Sequence, residues 1–226
     1  MREPARVGAA EANDRADSPA TWPELWRYRA VLLPLLGGMV MAEMAFGAAY
    51  IWGAPALSRS YGLSPERVGG LMASGLMISG ILGPLVGGTL ADFCQRSGGP
   101  RRTLIGVSVL AVLSLPGASF AFVPDVSWAG LLLVAHIVLV SATIVMATTL
   151  FAVVIPNELR GLCMAILFAA GTLSGLGMAP VVVSLLAGAL GGTAMLAKAL
   201  AFTCGAAAVL AAAAFVSGRR YFPAGV

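Results

Sequence analysis

The chain has 226 residues, of which 59% are hydrophobic and only 11% are charged. Soluble domains average about 45–50% apolar and about 25% charged residues, and a globule of this length has too little interior to bury such an apolar excess. The composition excludes a soluble enzyme, a nucleic-acid-binding domain and a disordered chain, and it predicts a protein that is surrounded mostly by lipid.

Residues 1–29 form a strongly polar stretch at the start of the chain. They contain five arginines, five acidic residues and three prolines, Pro4, Pro19 and Pro23. Such a composition is typical of disorder. No apolar run follows Met1 closely enough to form a cleaved export signal. We therefore predict that 1–29 is a cytoplasmic, disordered segment that precedes the membrane domain.

Beyond residue 29, and apart from Glu43, charged side chains are confined to short stretches that separate long apolar segments. About 20 apolar residues cross the roughly 30 Å of hydrocarbon as a helix, in which every backbone group is satisfied. The predicted fold is an all-α membrane protein with a transmembrane domain over 30–218 and a cytoplasmic tail over 219–226. The six predicted spans are 31–53, 67–91, 103–123, 128–153, 161–187 and 195–217.

Basic residues predict the orientation of these six helices. If the N-terminus is cytoplasmic, the inner segments carry eleven Lys and Arg residues and the outer loops carry three, Arg59, Arg67 and Lys198. Lys and Arg are enriched in the cytoplasmic loops of membrane proteins. Both termini are therefore predicted to be cytoplasmic. On this interpretation the net charge of +4 is an insertion signal rather than a nucleic-acid-binding surface.

The second and fifth spans share an interrupted pattern of serine, glycine and proline. One reads Ser79-Gly80-Ile-Leu-Gly83-Pro84, and the other reads Ser174-Gly175-Leu-Gly177-Met-Ala-Pro180. Proline inside a helix kinks the axis, and glycine lets a neighbouring helix approach closely. The two spans cross the membrane in opposite directions, and inverted repeats with matched interruptions are typical of transporters. We predict kinks at Pro84 and Pro180, and two inverted three-helix repeats.

Two stretches at the cytoplasmic ends of helices resemble loop motifs of the major facilitator superfamily. The first, Gly88-Thr-Leu-Ala-Asp92-Phe-Cys-Gln-Arg96 with Arg101 and Arg102 after it, is similar to the family's G-x-x-x-D-x-x-x-R signature. The second, Pro156-Asn157-Glu158-Leu159-Arg160-Gly161, is similar to its P-N-x-x-R-G segment. With the stretches Trp52-Gly-Ala-Pro55 and Gly175-Leu-Gly177-Met-Ala-Pro180, residues 22–220 resemble the C-terminal half of a bacterial spinster-like transporter.

This resemblance implies half of a twelve-helix fold in a bacterial inner membrane, with 1–29 as the linker between halves. It also implies a cytoplasmic gate that closes in one conformation and opens in the other. Asp92 needs a partner because it lies near the C-terminal end of a helix, where the dipole disfavours an anion. The implied gating motif comprises Gly88, Asp92, Arg96, Arg101, Arg102, Glu158 and Arg160, and the N-terminus of the fifth span is a second partner for Asp92. The alternative is a solvated loop whose arginines only set the topology.

Glu43 and His136 are the ionisable groups predicted to lie inside the membrane. At helical rise, Glu43 lies ~15 Å and His136 ~12 Å from the outer ends of the first and fourth spans. A charge at that depth is costly, so such residues are functional candidates. Tyr50 and Thr143 each follow by seven residues on the same helix face.

We predict that Glu43, Tyr50, His136 and Thr143 line one cavity, in which Glu43 exchanges a proton or holds a cationic group of the substrate. The alternative is that Glu43 is neutral and bonded to a backbone carbonyl, while His136 is a packing residue.

The predicted function is secondary active transport, as symport or antiport, of a small organic or lipid-like solute. Alternating access would be coupled to protons, and a complementary six-helix half or a second copy of the chain would complete the transporter. The alternative is a non-transporting remnant or membrane scaffold. An intramembrane protease is excluded because no Gly-x-Ser-Gly motif is present and His136 precedes Ser174. No enzymatic activity, cofactor, metal site or nucleic-acid partner is predicted, and Cys94, Cys163 and Cys204 are too dispersed for a metal site or disulfide framework.

Overall fold

A computed structural model describes residues 22–222, which are almost entirely helical. Most of the predicted polar segment 1–29, and the last four residues of the chain, lie outside the described residues. A π-helical segment, Leu173–Met178, joins the sixth helix to the seventh, and short 3₁₀ turns flank the fourth and eighth. The helices are α1 (Trp22–Trp26), α2 (Arg29–Tyr61), α3 (Pro65–Leu113), α4 (Leu115–Ala118), α5 (Val126–Val154), α6 (Asn157–Thr172), α7 (Ala179–Ala189) and α8 (Leu196–Gly218).

Five helical stretches in the described part of the chain are long and apolar enough to cross a membrane. The prediction of an all-α, multi-pass membrane protein is confirmed at this level. The division into six crossings and the inverted repeats stay predictions. The five stretches are Arg29–Tyr61, Pro65–Phe122, Val126–Val154, Asn157–Ala189 and Thr193–Tyr221.

The second stretch is much longer than one bilayer crossing because it includes a break at Gly98 and Gly99. The backbone leaves the helical region there, with φ/ψ of −179°/19° at Gly98 and 61°/−159° at Gly99. The Arg102 guanidinium carbon lies 5.4 Å from the centre of the Phe93 ring. A Cβ built on Gly106 would lie 3.1 Å from the Cys94 Sγ, although residues twelve apart in a straight helix are separated by roughly 18 Å. The polypeptide therefore folds back on itself at this pair of glycines.

Replacing Gly99 by alanine is expected to weaken this reversal. Its dihedral angles lie in a region that only glycine occupies readily, and forcing another residue into it costs about 1–3 kcal/mol. The thermal unfolding temperature in detergent should be lower than that of wild type. It is measured by the loss of the monodisperse peak in size-exclusion chromatography. Gly161→Ala is the control, because a Cβ there meets nothing within 4 Å and its φ is not positive. Equal stability of the two variants would show that the backbone at 99 is not held in this conformation.

The predicted third span, 103–123, is not one continuous helix. Helix α3 ends at Leu113, the single turn of α4 follows Ser114, and a 3₁₀ turn covers Ser119–Phe122. Pro116 explains the interruption, because it has no N–H to continue the ladder. The chain still satisfies its backbone at this point, since the Ser114 N–H donates to the Leu110 carbonyl at 3.1 Å.

The tightest helix packing joins α3 to α5 along a stripe of small residues. Every fourth residue of α3 on this stripe is buried, namely Gly75, Ser79, Gly83, Gly87 and Ala91. A Cβ built on Gly83 would overlap the Ser141 hydroxyl, and one built on Gly87 would lie 2.5 Å from the Ala142 carbonyl oxygen. Small residues at this spacing let helix backbones approach in a membrane, where association depends on van der Waals contact.

Helix α2 packs mainly against α8, and it also contacts α5 and the π-helical segment. Glycine again permits the approach, because the Phe215 ring of α8 lies against Gly38, where a Cβ would be 2.5 Å from it. The buried side chains form two large clusters, one around Met146 and Phe215 and the other around Leu133 and Leu200. The sector of α2 between α5 and the π-helical segment carries Glu43.

Candidate functional site

The candidate site lies where α2 crosses the π-helical segment Leu173–Met178. The two backbones are in direct contact there, because a Cβ on Gly47 would overlap the carbonyl oxygen of Gly175 and lie 2.6 Å from its Cα. A Cβ on Gly175 would in turn lie 2.7 Å from the carbonyl oxygen of Glu43. Any larger residue at either glycine would force the two helices apart.

Pro180 accounts for the π-helical spacing next to this crossing. The Ala179 N–H donates to the Ser174 carbonyl, five residues back. At the same spacing the Gly175 carbonyl would receive its bond from residue 180, which is a proline and has no donor. The Gly175 carbonyl, which lacks this donor, points at Gly47 of α2 across the helix contact. The Trp52 indole N–H donates to the Pro180 carbonyl at 3.2 Å, which anchors α7 on α2.

Ser174 adds a polar tie between the same two helices. Its hydroxyl is buried and lies 3.1 Å from the Val40 carbonyl of α2 and 2.8 Å from the Gly171 carbonyl of its own helix. A hydroxyl that bonds back to its own helix often bends it. The π-helical segment is therefore fixed to α2 both by backbone contact and by a hydrogen bond.

The Glu43 carboxylate rests on the glycine side of α6 and the π-helical segment. A Cβ on Gly171 would lie 3.0 Å from Glu43 Cγ and 3.5 Å from Oε1, and a Cβ on Gly175 would lie 3.6 Å from Oε2. The residue is half-buried. Within residues 22–222, no hydrogen bond or ion pair to this carboxylate is found. The alternative prediction, a neutral Glu43 bonded to a backbone carbonyl, stays a prediction.

Tyr50 lies on the same side of α2 as Glu43, two turns further along. Its side chain is 46% exposed, and its ring stacks on that of Phe46 with centroids 6.3 Å apart and planes at 8°. Glu43 and Tyr50, two of the four predicted cavity residues, thus lie on one side of α2 about 10 Å apart at helical rise, with Phe46, which sequence reasoning missed, between them. Phe46 could have been predicted from the sequence, because it follows Glu43 by three residues, and residues at this spacing are neighbours on a helix surface.

His136 and Thr143 face the interior of the bundle. Both are fully buried. His136 Nδ1 lies 2.9 Å from the Ser114 carbonyl oxygen, and the Thr143 hydroxyl donates to the Leu139 carbonyl at 2.8 Å. His136 also packs against Gly117, where a Cβ would lie 2.7 Å from its own Cβ. No hydrogen bond joins His136 to Glu43 in the described residues, and a shared cavity stays a prediction.

His136 Nε2 is buried and has no polar partner among the described residues. With Nδ1 at the Ser114 carbonyl, the hydrogen is on Nδ1, which therefore donates, and Nε2 carries a free lone pair. The contact ties α5 to the interruption between α3 and α4. This contact agrees with the alternative prediction of a packing residue, and both roles of His136 stay predictions.

The predicted cytoplasmic gating motif is only partly exposed. Within residues 22–222 no ion pair links its acidic and basic members, and the Arg102 guanidinium packs over Phe93 instead. Gly88 has open space around it. The gate stays a prediction. Asp92, Arg96, Arg102 and Glu158 are exposed, whereas Arg101 and Arg160 are half-buried.

Metal binding has no basis in the described residues. Among residues 22–222, no three His, Cys, Asp or Glu side chains lie together as a metal ion would require. The ionisable group at the crossing of α2 and the π-helical segment is the Glu43 carboxylate, which can accept a proton or pair with a cation.

Comparison with known protein families, curated proteins and solved structures found no match to this chain.

Proposed function

We propose that the chain is one bundle of a secondary transporter, which moves a small organic or lipid-like solute by alternating access coupled to protons. The observation that carries this proposal is the Glu43 carboxylate, which has no polar partner in the described residues and lies where α2 crosses an interrupted helix. Ionisable residues inside membranes are rare, and they mark substrate or ion pathways. Interrupted helices near the bilayer midplane form the binding sites of many secondary transporters.

We propose six membrane crossings, with both termini cytoplasmic in a bacterial inner membrane. The reversal at Gly98 and Gly99 supports this count, because it divides the 58-residue stretch Pro65–Phe122 into two segments that are each long enough for one crossing. The side of the membrane follows from the excess of basic residues in the segments assigned to the cytoplasm.

We further propose that the six helices form two inverted repeats. Ser79 and Ser174 occupy matching places in the two patterns, and each buried hydroxyl donates to the carbonyl three residues earlier in its helix. Gly83 packs tightly on α5, and Gly175 packs tightly on α2. The second span thus contacts the fourth span, which is the first helix of the second proposed repeat. The fifth span contacts the first span, which is the first helix of the first proposed repeat.

A complementary six-helix half or a second copy of the chain completes the proposed transporter. Two halves related by an axis along the membrane normal insert in the same orientation, and this condition holds equally for two copies of one chain. Residue 43 would then lie between the two bundles, in water that alternately reaches it from either side.

Single-cysteine labelling tests this proposal. The three native cysteines, Cys94, Cys163 and Cys204, are buried and are first replaced by alanine. Glu43→Cys in this background is expected to react with a membrane-impermeant thiol reagent both in right-side-out and in inside-out vesicles, because alternating access opens the site to each side in turn.

Val209→Cys is the matched control in α8. Val209 is 52% exposed and lies about as deep as Glu43, but its proposed surroundings are lipid, so it should react from neither side. Reaction of residue 43 from neither side would favour the scaffold, and reaction from one side only would contradict alternating access.

A further inference from the structure

The Glu43 carboxylate and the Phe46–Tyr50 ring pair lie together on the accessible sector of α2. The carboxylate supplies a negative charge, and the stacked rings supply aromatic faces on the next turns of the same helix. Carboxylate and aromatic faces together are the groups that recognise a cation with an apolar body. We propose that this site binds a hydrophobic organic cation, with its charged centre at Glu43 and its apolar part against Tyr50.

This inference rests on the proposed function and names its substrate class. Within the described residues, basic side chains on the packed elements are remote from Glu43. Arg29 and Arg59 lie 14 and 16 residues away on α2, or about 21 and 24 Å at helical rise. Arg160 precedes Gly171 by eleven residues on α6, or about 16 Å. Helices α5 and α7 contain no Lys or Arg, and Lys198 of α8 precedes Cys204, which contacts the Ala45 carbonyl, by six residues, or about 9 Å along α8. The positive charge that neutralises the Glu43 carboxylate is therefore supplied by a ligand.

The glycines beneath the carboxylate let it lie close against α6 and the π-helical segment, so a ligand reaches the half-buried group from its exposed side. Neither Gly171 nor Gly175 has a side chain to cover Oε1 or Oε2, and both oxygens lie within 3.6 Å of the positions that a Cβ would take there. Tyr50 is 46% exposed, so its ring face is open to a ligand. An organic anion finds no basic partner near these groups, and a neutral solute would leave the carboxylate unpaired. The site chemistry therefore favours a cation.

Tetraphenylphosphonium is the probe for this site, and tetraphenylborate is its control, because the two ions share shape and apolar surface but differ in charge. Isothermal titration of the purified chain in lipid nanodiscs is expected to show saturable binding of the phosphonium only. Glu43→Gln should weaken that binding at least tenfold, and Tyr50→Leu should weaken it several-fold. Glu66→Gln is the matched control, since it removes an exposed carboxylate in the first turn of α3, outside the site, and it should leave binding unchanged.

A second measurement uses the unaltered chain and does not depend on the folding of any variant. Dicyclohexylcarbodiimide reacts with carboxyl groups in apolar surroundings, and tetraphenylphosphonium is expected to slow its modification of Glu43, as followed by mass spectrometry. No protection by the phosphonium, equal binding of both ions, or equal binding by wild type and Glu43→Gln would each overturn the proposal.

Failure here is distinguishable from failure of the proposed function. Two-sided labelling of a cysteine at residue 43 together with no phosphonium binding would reject the substrate class and keep the transporter. Phosphonium binding at Glu43 with no labelling from either side would keep a cation site and reject alternating access.

Discussion

Replacing Gly47 by alanine is expected to separate α2 from the π-helical segment and to destabilise the whole bundle. The added methyl group would overlap the carbonyl oxygen of Gly175, and backbone cannot rotate away as a side chain would. Overpacking costs about 1–3 kcal/mol where side chains can adjust, so we expect a loss of about 3 kcal/mol or more in the free energy of unfolding. Circular dichroism during titration of dodecylmaltoside micelles with dodecyl sulfate measures this change.

Gly37→Ala is the control in the same helix. A Cβ at Gly37 would lie 4.0 Å from the Ala214 Cβ, which is ordinary contact, so its unfolding free energy should stay within about 0.5 kcal/mol of wild type. A Gly47→Ala variant as stable as Gly37→Ala would show that α2 and the π-helical segment do not touch at Gly47 and Gly175. The carboxylate site would then lose its structural basis.

Gly87→Ala is expected to have the second largest effect, at the crossing of α3 and α5. Its Cβ would lie 2.5 Å from the Ala142 carbonyl oxygen and 3.1 Å from the Ala142 Cα, so helix α5 would have to move. We expect a loss of about 2–3 kcal/mol in the free energy of unfolding, by the same titration.

The adjacent glycine makes an unusually close control for that variant. Gly88 meets nothing within 4 Å, so Gly88→Ala should change stability by no more than about 0.5 kcal/mol. Both substitutions add the same methyl group at neighbouring positions of one helix, and only the direction of the added group differs. If both variants lost stability, or if neither did, it would be wrong that the Gly87 face of α3 packs against α5.

Hydropathy predicted the helical character and the approximate positions of the spans, because lipid requires every buried backbone group to be satisfied within a helix. Hydropathy predicted the ends of the helices less well. Helix α2 continues to Tyr61, past the predicted end at 53, since Pro55 does not interrupt it. The predicted third span is interrupted near Pro116, where proline and the contact with His136 coincide. The presence of a proline in the sequence does not by itself show whether the helix continues through it, as at Pro55, or is interrupted, as near Pro116.

The candidate site was only partly predictable. Glu43 could be identified because a carboxylate is exceptional in an apolar run, and Tyr50 because helical periodicity places it on the same face. Periodicity gives the direction of a side chain about its own helix, but it does not say which neighbour covers that face. His136 therefore could not be assigned to Ser114 from the sequence. The contact of Gly47 with Gly175 depends on residues 128 positions apart, which no local pattern reveals.

The side of the membrane on which the chain's turns lie is the most direct test of the account, because the proposed transporter requires six crossings. Single cysteines placed at Ser60, Ser97 and Arg220 of the cysteine-free chain would be reacted with an impermeant reagent in intact cells and in inverted vesicles. Six crossings predict that position 60 reacts from outside, and that positions 97 and 220 react only from the cytoplasm. Positions 97 and 220 on opposite sides would mean an odd number of crossings between them and would contradict the account.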